Sequence, residues 1–258
     1  MTAPGPIESF DVGVVRVLRL RHGRANAIDV ELFEALMAAL DQATEDGCRA
    51  LVLTGSGSIF SAGVDLKRVL EEGEEYLRRF VPMIGKGLRR LFAFPRPVVA
   101  ALNGHAVAGG CIVACACDRR IAAAGDATVG VPELRVGVPY PSTALEILRF
   151  VVGDHGLEEV VYSAGTSDLE TVRRHGLVDE IVAPETLLER AVAVAGRMAK
   201  IAPETFALTK SQIRRPVLDR LAAGAASADR EVERIWRLAS TREAIRAYVE
   251  ATLGAGGS

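Results

Sequence analysis

Val98 to Asp118 reads VVAALNGHAVAGGCIVACACD. Its first five residues form a continuous apolar run that suits a strand buried on both faces. The Asn103, Gly104 pair turns the chain, and the small apolar residues from Gly109 to Cys117 suit a buried helix. The same succession occurs upstream. Ala50 to Leu53 is a second short apolar run, followed by Thr54, Gly55 and a glycine and serine loop. Asp65 to Leu70 predicts a short helix, and in a longer one behind it Tyr76, Phe80, Ile84, Leu88 and Leu91 step by four or three until Pro95 and Pro97. Strand, turn and helix recur, which is the pattern of an α/β chain.

The flanks extend this reading. Phe10 to Leu20 alternates like a single strand ending at the Arg21, His22, Gly23 loop. A helix begins at Asp29, which can cap it, carries Leu32, Leu36, Met37 and Leu40 at helical spacing, and ends near Gly47. Arg120 to Ala123 and Thr128 to Val131 read as short strands, Ser142 to Val152 and Leu157 to Ser163 as helices, and Val178 to Val182 closes the α/β part. From Pro184 to Leu253 only helical patterns remain, with Pro203 and Pro216 as interruptions, and Gly254 to Ser258 reads as a loose tail. The whole reads as one α/β domain with a helical extension.

Composition sets the bounds. With 258 residues, 49% hydrophobic and 25% charged, the chain can bury one sizeable core or two small ones. A formal charge of -2 gives no reason to expect nucleic acid or an anionic membrane as partner, so any anion site must be local. The longest apolar stretch, Ala106 to Cys117, falls far short of the roughly 20 residues that cross a bilayer. MTAPGPIESF has neither a basic region nor an apolar one of signal-peptide type, so a cytoplasmic location is expected. Cys111, Cys115 and Cys117 crowd one apolar segment and Cys48 stands apart, which fits buried small hydrophobes in a reducing compartment better than a disulfide framework. No CxxC is present and only His105 lies nearby, so no metal site is expected.

Several catalytic motifs fail. Gly55 and Gly57 follow a strand, but Phe60 stands where a dinucleotide fingerprint needs its third glycine. There is no GxxxxGK[ST], HExxH or GxSxG, and His22, His105, His155 and His175 sit in unrelated segments.

Two glycine-containing segments remain, each behind a buried strand: Ile59 to Lys67, IFSAGVDLK, and Asn103 to Asp118, NGHAVAGGCIVACACD. With VPE at Val131 to Glu133 downstream, they resemble the signature stretches of the enoyl-CoA hydratase/isomerase, or crotonase, superfamily. The likeness runs from the N-terminal strand through APETFALTK at Ala202 to Lys210. It implies an α/β chain with the crotonase (ClpP/crotonase-like) fold, made of repeated ββα units with a C-terminal helical region. On that resemblance residues 1–190 form the ββα core and 191–258 a helical oligomerisation region. The C-terminal helices would pack against neighbouring subunits in a homotrimer or homohexamer, although Ile235, Trp236, Leu238, Ile245 and Tyr248 are equally compatible with packing inside one subunit.

The resemblance also implies a chemistry: an enolate formed from an acyl-CoA thioester is stabilised by two backbone N–H groups, here those of Val64 and Gly109. No separate cofactor is implied, since coenzyme A is part of the substrate. Glycines fit this role physically, because Gly63, Gly109 and Gly110 permit tight turns and close backbone approach. Gly109 should also open a helix whose free N–H groups favour negative charge. Ala62, Val64, Asp65, Leu66, Lys67 and Gly109 would border the bound thioester, and the loop with Arg24, Ala25 and Ala27 its pantetheine and adenine. Arg24 and Lys67 are either phosphate partners or solvated cations, and Asp65 either borders coenzyme A or caps the helix after it.

Hydratases of this superfamily hold water between two glutamates. Glu133 matches the second, but Ile112 occupies the position of the first, and an isoleucine can neither orient water nor exchange a proton. One carboxylate suffices to move a proton from C2 to C4 of a 3-enoyl thioester, and FSAGVDL and AGGCIV look like the matching stretches of mitochondrial-type Δ3,Δ2-enoyl-CoA isomerases. The expectation is therefore a Δ3,Δ2-enoyl-CoA isomerase with Glu133 as single acid and base, its pKa raised by apolar neighbours such as Val131 and Leu134. The alternatives are a hydratase or other crotonase activity with an unlocated second carboxylate, for which Glu71, Glu72, Glu74 and Glu75 are candidates, and a non-catalytic acyl-CoA binding protein. His105 and Asp118 read as locally hydrogen-bonded, Cys111 as an inert thiol, and Tyr140, Trp236 and Tyr248 as packing or pocket residues, packing preferred.

Overall fold

The alternation of side chains along a strand gives every buried strand two different packing partners. In the computed structural model, which describes residues 5–253, β1 (Ile7–Val12), β2 (Val15–Leu20), β3 (Ala50–Thr54), β5 (Val98–Leu102), β7 (Arg119–Ala123) and β10 (Glu180–Val182) make a six-stranded sheet in the order β1-β2-β3-β5-β7-β10. All its pairings are parallel except β1 with β2. On β3, Leu51 and Leu53 join the main core while Ala50 and Val52 pack against α7 (Leu187–Met198) on the other face. That double burial is why these strands read as continuous apolar runs.

Four shorter strands, β4 (Ile59–Ser61), β6 (His105–Val107), β8 (Thr128–Gly130) and β9 (Thr166–Asp168), form a second sheet in that order. Each of three consecutive units contributes one strand to each sheet and then a helix. The units are β3-β4-α2, with α2 at Leu66–Phe92; β5-β6-α3, with α3 at Gly109–Ala116; and β7-β8-α4, with α4 at Glu133–Val136. Of these three-residue strands only β8 is present in the sequence reading; β4 and β6 lie inside glycine-rich stretches and β9 is the polar triplet Thr166, Ser167, Asp168, so none of the three carries an apolar run.

Most expected elements are present. Asp29 caps α1 (Val30–Glu45) by accepting a hydrogen bond from the Leu32 N–H at 2.8 Å. Two expectations are corrected. Phe10 to Leu20 is two antiparallel strands rather than one, because the chain reverses at Gly13, whose φ of +61° lies in the left-handed region. Pro216 does not interrupt the C-terminal helix: α8 runs unbroken from Pro203 to Trp236. Pro216 and Gln212, whose carbonyl loses its helical donor, both face solvent, while Arg214, Val217 and Leu221 anchor the buried face. Residue 190 falls inside α7, whose Leu187, Ala191, Val194 and Ala195 pack on the larger sheet.

The last two helices, α8 and α9 (Ala239–Leu253), fold back on their own chain and bury Val232, Trp236 and Ile245 in the main core. Upstream, α8 is pinned by ion pairs. The carboxylate of Asp118 accepts from Lys210 Nζ and Arg214 Nη2, both at 2.7 Å, and from the Val98 N–H at 2.7 Å. Burial lowers the Lys210 pKa to about 8, with Asp118 opposing that shift. Asp118→Asn leaves two buried cations short of their counter-charge and is expected to cost about 3 kcal/mol, read as a reduced urea midpoint at pH 7. Among the described residues no helix is long and apolar enough to cross a membrane.

Candidate active site

Each of the three ββα units ends its short strand and immediately delivers one group. Val64 follows β4, Gly109 follows β6 and Glu133 follows β8. Because β4, β6 and β8 are parallel neighbours, their C-terminal ends share one edge at a spacing of about 4.8 Å per strand. Val64, Gly109 and Glu133 therefore line one cavity of about 70 Å³, together with Ala62, Leu66 and Ile112.

The Val64 N–H is presented by the pairing around it. Ile28 N–H donates to the Gly63 carbonyl at 2.7 Å, and Asp65 N–H to the Ile28 carbonyl at 3.0 Å. Val64 lies between these bonds, and among the described residues its own N–H has no partner. Gly63 has φ +82°, and a Cβ there would lie 2.7 Å from the Val107 carbonyl oxygen and 2.8 Å from Ala108 Cβ. Only glycine lets the two signature segments meet.

The Gly109 N–H is the first of α3 and has no carbonyl of its own helix to bond. Ala108 before it sits at φ +52°, a strained conformation for a residue with a side chain. It is held there by Ala108 N–H donating to the Gly130 carbonyl at 2.8 Å and by Ile112 N–H donating to the Ala108 carbonyl at 3.1 Å. The first bond ties the Gly109 turn to the end of β8, three residues before Glu133. Two free N–H groups, one at a helix N-terminus, make a place for an oxygen that gains negative charge.

Glu133 opens α4 after Pro132, and its Oε2 is buried without a hydrogen-bond partner. Burial pushes its pKa from 4.5 up to about 7, opposed more weakly by its own backbone N–H and by Tyr140. The Tyr140 hydroxyl donates to the Val131 carbonyl at 2.8 Å. Of the two apolar neighbours expected to raise this pKa, Val131 is buried but Leu134 is 45% exposed. As the second residue of a four-residue helix, Leu134 turns outward, and Ile112, Val136 and Tyr140 complete the wall instead.

The other expected residues separate clearly. Ala62, Val64, Leu66, Gly109 and Glu133 border the cavity, whereas Arg24, Ala25, Ala27, Asp65 and Lys67 do not line it. Ala25 is nonetheless tied to the site, since its carbonyl accepts from the Ala62 N–H at 3.0 Å. Arg24 and Lys67 are exposed. Asp65 caps α2, accepting from the Arg68 N–H at 3.0 Å. Glu72 pairs with Arg68 and Glu74 with Arg78, and none of Glu71, Glu72, Glu74 and Glu75 lines the cavity. His105 Nδ1 is bonded to Thr128, and the buried Cys111 has its thiol pKa raised by the neighbouring Cys115 and by burial. Tyr140, Trp236 and Tyr248 do line the cavity, in addition to packing.

Asn26 escaped the sequence reading. It is buried at φ +46°, its amide donates to the Ile59 and Phe60 carbonyls at 3.0 and 3.2 Å, and its carbonyl accepts from the Ser61 hydroxyl at 2.8 Å. It thus clamps the 24–28 loop onto the first signature. Its only signal was the residue type, since asparagine tolerates left-handed backbone better than most residues.

Repeated ββα units whose parallel short strands deliver a pair of backbone donors and a carboxylate to one cavity define a crotonase-fold enzyme. The family model for enoyl-CoA hydratase/isomerase matches residues 11–253, and the chain belongs to that family. A Thermus thermophilus protein described as a putative enoyl-CoA hydratase is 36% identical over 191 residues, 72% of this chain and 75% of that protein. A Mycobacterium tuberculosis protein, described as an enoyl-CoA isomerase in one structure and a probable hydratase in another, matches in the first with a TM-score of 0.77 at 32% identity, covering 86% of this chain and 96% of that one. In fold alone, human mitochondrial Δ3,Δ2-enoyl-CoA isomerase superposes with a TM-score of 0.91 over 98% of this chain and 100% of that one, at 22% identity.

Proposed function

We propose that this enzyme is a Δ3,Δ2-enoyl-CoA isomerase with Glu133 as its single acid and base. The observation that carries this reading is that Glu133 is the one carboxylate lining the cavity among the described residues, with Ile112 beside it. Glu133 takes a proton from C2 of a 3-enoyl thioester; the C–H electron pair forms a C1=C2 double bond and the carbonyl π pair moves onto oxygen, which gives a dienolate that keeps the C3=C4 double bond. The negative charge on the thioester oxygen is held by the N–H groups of Val64 and Gly109. Protonated Glu133 returns its proton to C4, and the double bond comes to rest between C2 and C3. No water or second acid enters, and atoms and charge balance.

A pKa of about 7 suits a group that must both accept and return a proton. Coenzyme A would lie along Ala62 to Lys67 and the Arg24 to Ala27 loop, with the exposed Arg24 and Lys67 free to meet phosphates. Hydratase descriptions predominate among the relatives, so the test must separate the two reactions. Purified enzyme is given a 3-enoyl-CoA and a 2-enoyl-CoA, with double-bond migration and hydration followed separately. Migration at least 100-fold faster than hydration is expected. Hydration as fast as migration would overturn the single-base reading.

A further inference from the structure

Part of the cavity wall is supplied by the C-terminal helices of the same chain. Trp236 ends α8 and Tyr248 lies on α9, and both line the space that holds Glu133, Val64 and Gly109. Trp236 is buried and its indole N–H donates to the Pro139 carbonyl at 3.2 Å, which fixes the ring. The corner that carries it is itself held. The Thr241 hydroxyl donates to the Ile235 carbonyl at 2.7 Å, and Arg242 donates to the Leu70 carbonyl of α2 at 2.8 Å. Gly137, after α4, leaves no room for a side chain, because a Cβ there would lie 2.7 Å from Ala244 Cβ of α9. This wall is not a loose flap.

The cavity, open on one side, has a volume of about 70 Å³, about half of the ~150 Å³ that admits benzene in an apolar cavity. Apart from Glu133 its lining carries no charged side chain: Ile84, Ile112, Val136, Ala144 and Trp236 are apolar or aromatic, and of the two tyrosines Tyr140 spends its hydroxyl on the Val131 carbonyl. Such a space has room for a few carbons beyond the thioester and, apart from Glu133, no charged group to hold an ionised acyl terminus. We infer that Trp236 is the chain-length gauge of this enzyme and that it restricts the substrate to short, unbranched, apolar acyl groups of about four to six carbons. This rests on the cavity being the acyl site and deepens that reading by naming the substrate class.

Direct binding separates this inference from the isomerase proposal, since it needs no turnover. Calorimetry with butyryl-, hexanoyl-, octanoyl- and decanoyl-CoA is expected to show affinity rising about fourfold per methylene up to six carbons and no further gain, or a loss, beyond. In Trp236→Ala the rise continues through ten carbons, and the decanoyl to hexanoyl affinity ratio increases at least tenfold. Ala144→Leu, which fills the cavity from α5 (Ser142–Tyr162), moves the limit the other way and weakens hexanoyl-CoA at least tenfold relative to butyryl-CoA; it keeps the test valid should Trp236→Ala fail to fold. Wild-type affinity that keeps rising to ten carbons, or an unchanged ratio in a folded Trp236→Ala, would overturn the inference. If the same limit appears while no double-bond migration is seen, the gauge stands and the isomerase reading falls.

Discussion

Glu133→Gln is expected to lower kcat for double-bond migration roughly 1,000-fold to 10,000-fold, the contribution of a general base that has no substitute. Glutamine keeps the shape and can still accept a hydrogen bond, so acyl-CoA affinity should change less than threefold. The pH profile of the parent enzyme gives an independent check. Only the ionised carboxylate can take the C2 proton, so kcat/KM should rise with pH and level off above the Glu133 pKa of about 7. A mutant that retains a tenth of the activity would remove Glu133 from the chemistry.

The same burial that tunes Glu133 has a stability consequence. Its pKa rises from 4.5 unfolded to about 7 folded, so the folded state prefers the protonated form. Stability is full below pH 4.5, declines as pH rises through 7 and is then lower by about 3 kcal/mol at 1.36 kcal/mol per pKa unit. Glutamine carries no charge to desolvate. The variant that loses activity should therefore unfold at a higher temperature than the parent at pH 8 and at about the same temperature at pH 4.

Gly63→Ala is expected to reduce kcat about 100-fold to 1,000-fold, the usual effect of losing one oxyanion donor. The added Cβ would meet the Val107 carbonyl oxygen at 2.7 Å and lie 3.1 Å from the Gly109 nitrogen. These are backbone atoms of the second signature, and relieving the contact displaces either the Val64 or the Gly109 N–H. In the proposed mechanism the oxygen gains its charge only as the dienolate forms, so kcat and kcat/KM should fall together with little change in KM. Gly13→Ala is the matched control. Its φ of +61° imposes similar backbone strain, of about 1–2 kcal/mol, but no atom lies within 4 Å of the new Cβ. It should lose stability and keep full activity. A Gly63→Ala enzyme with kcat within threefold of the parent would show that the two segments can separate without cost to the oxyanion site.

Packing explains which elements were readable. Val98 to Leu102 and Ala50 to Leu53 stood out because each is sandwiched between two apolar layers, and that burial writes a continuous run into the residues. β4, β6 and β9 left no such mark, since the first two are embedded in glycine-rich stretches and the third is polar throughout. Pro216 marked a break that the folded chain does not make, because its effect on a helix depends on whether the freed carbonyl faces protein or solvent.

The sequence by itself determined the family likeness, the glycines that allow close backbone approach, and the presence of Glu133 opposite in kind to Ile112. These follow from residue type and local order, which need no partner from elsewhere in the chain. Tertiary structure alone decided that Val64, Gly109 and Glu133 meet. Parallel pairing of β4, β6 and β8, of which only β8 was visible in the sequence, sets their ends on one edge. It also decided that Trp236 and Tyr248 close the cavity of their own chain. That depends on where two C-terminal helices return after more than a hundred intervening residues, a long-range packing that no local pattern of side chains encodes.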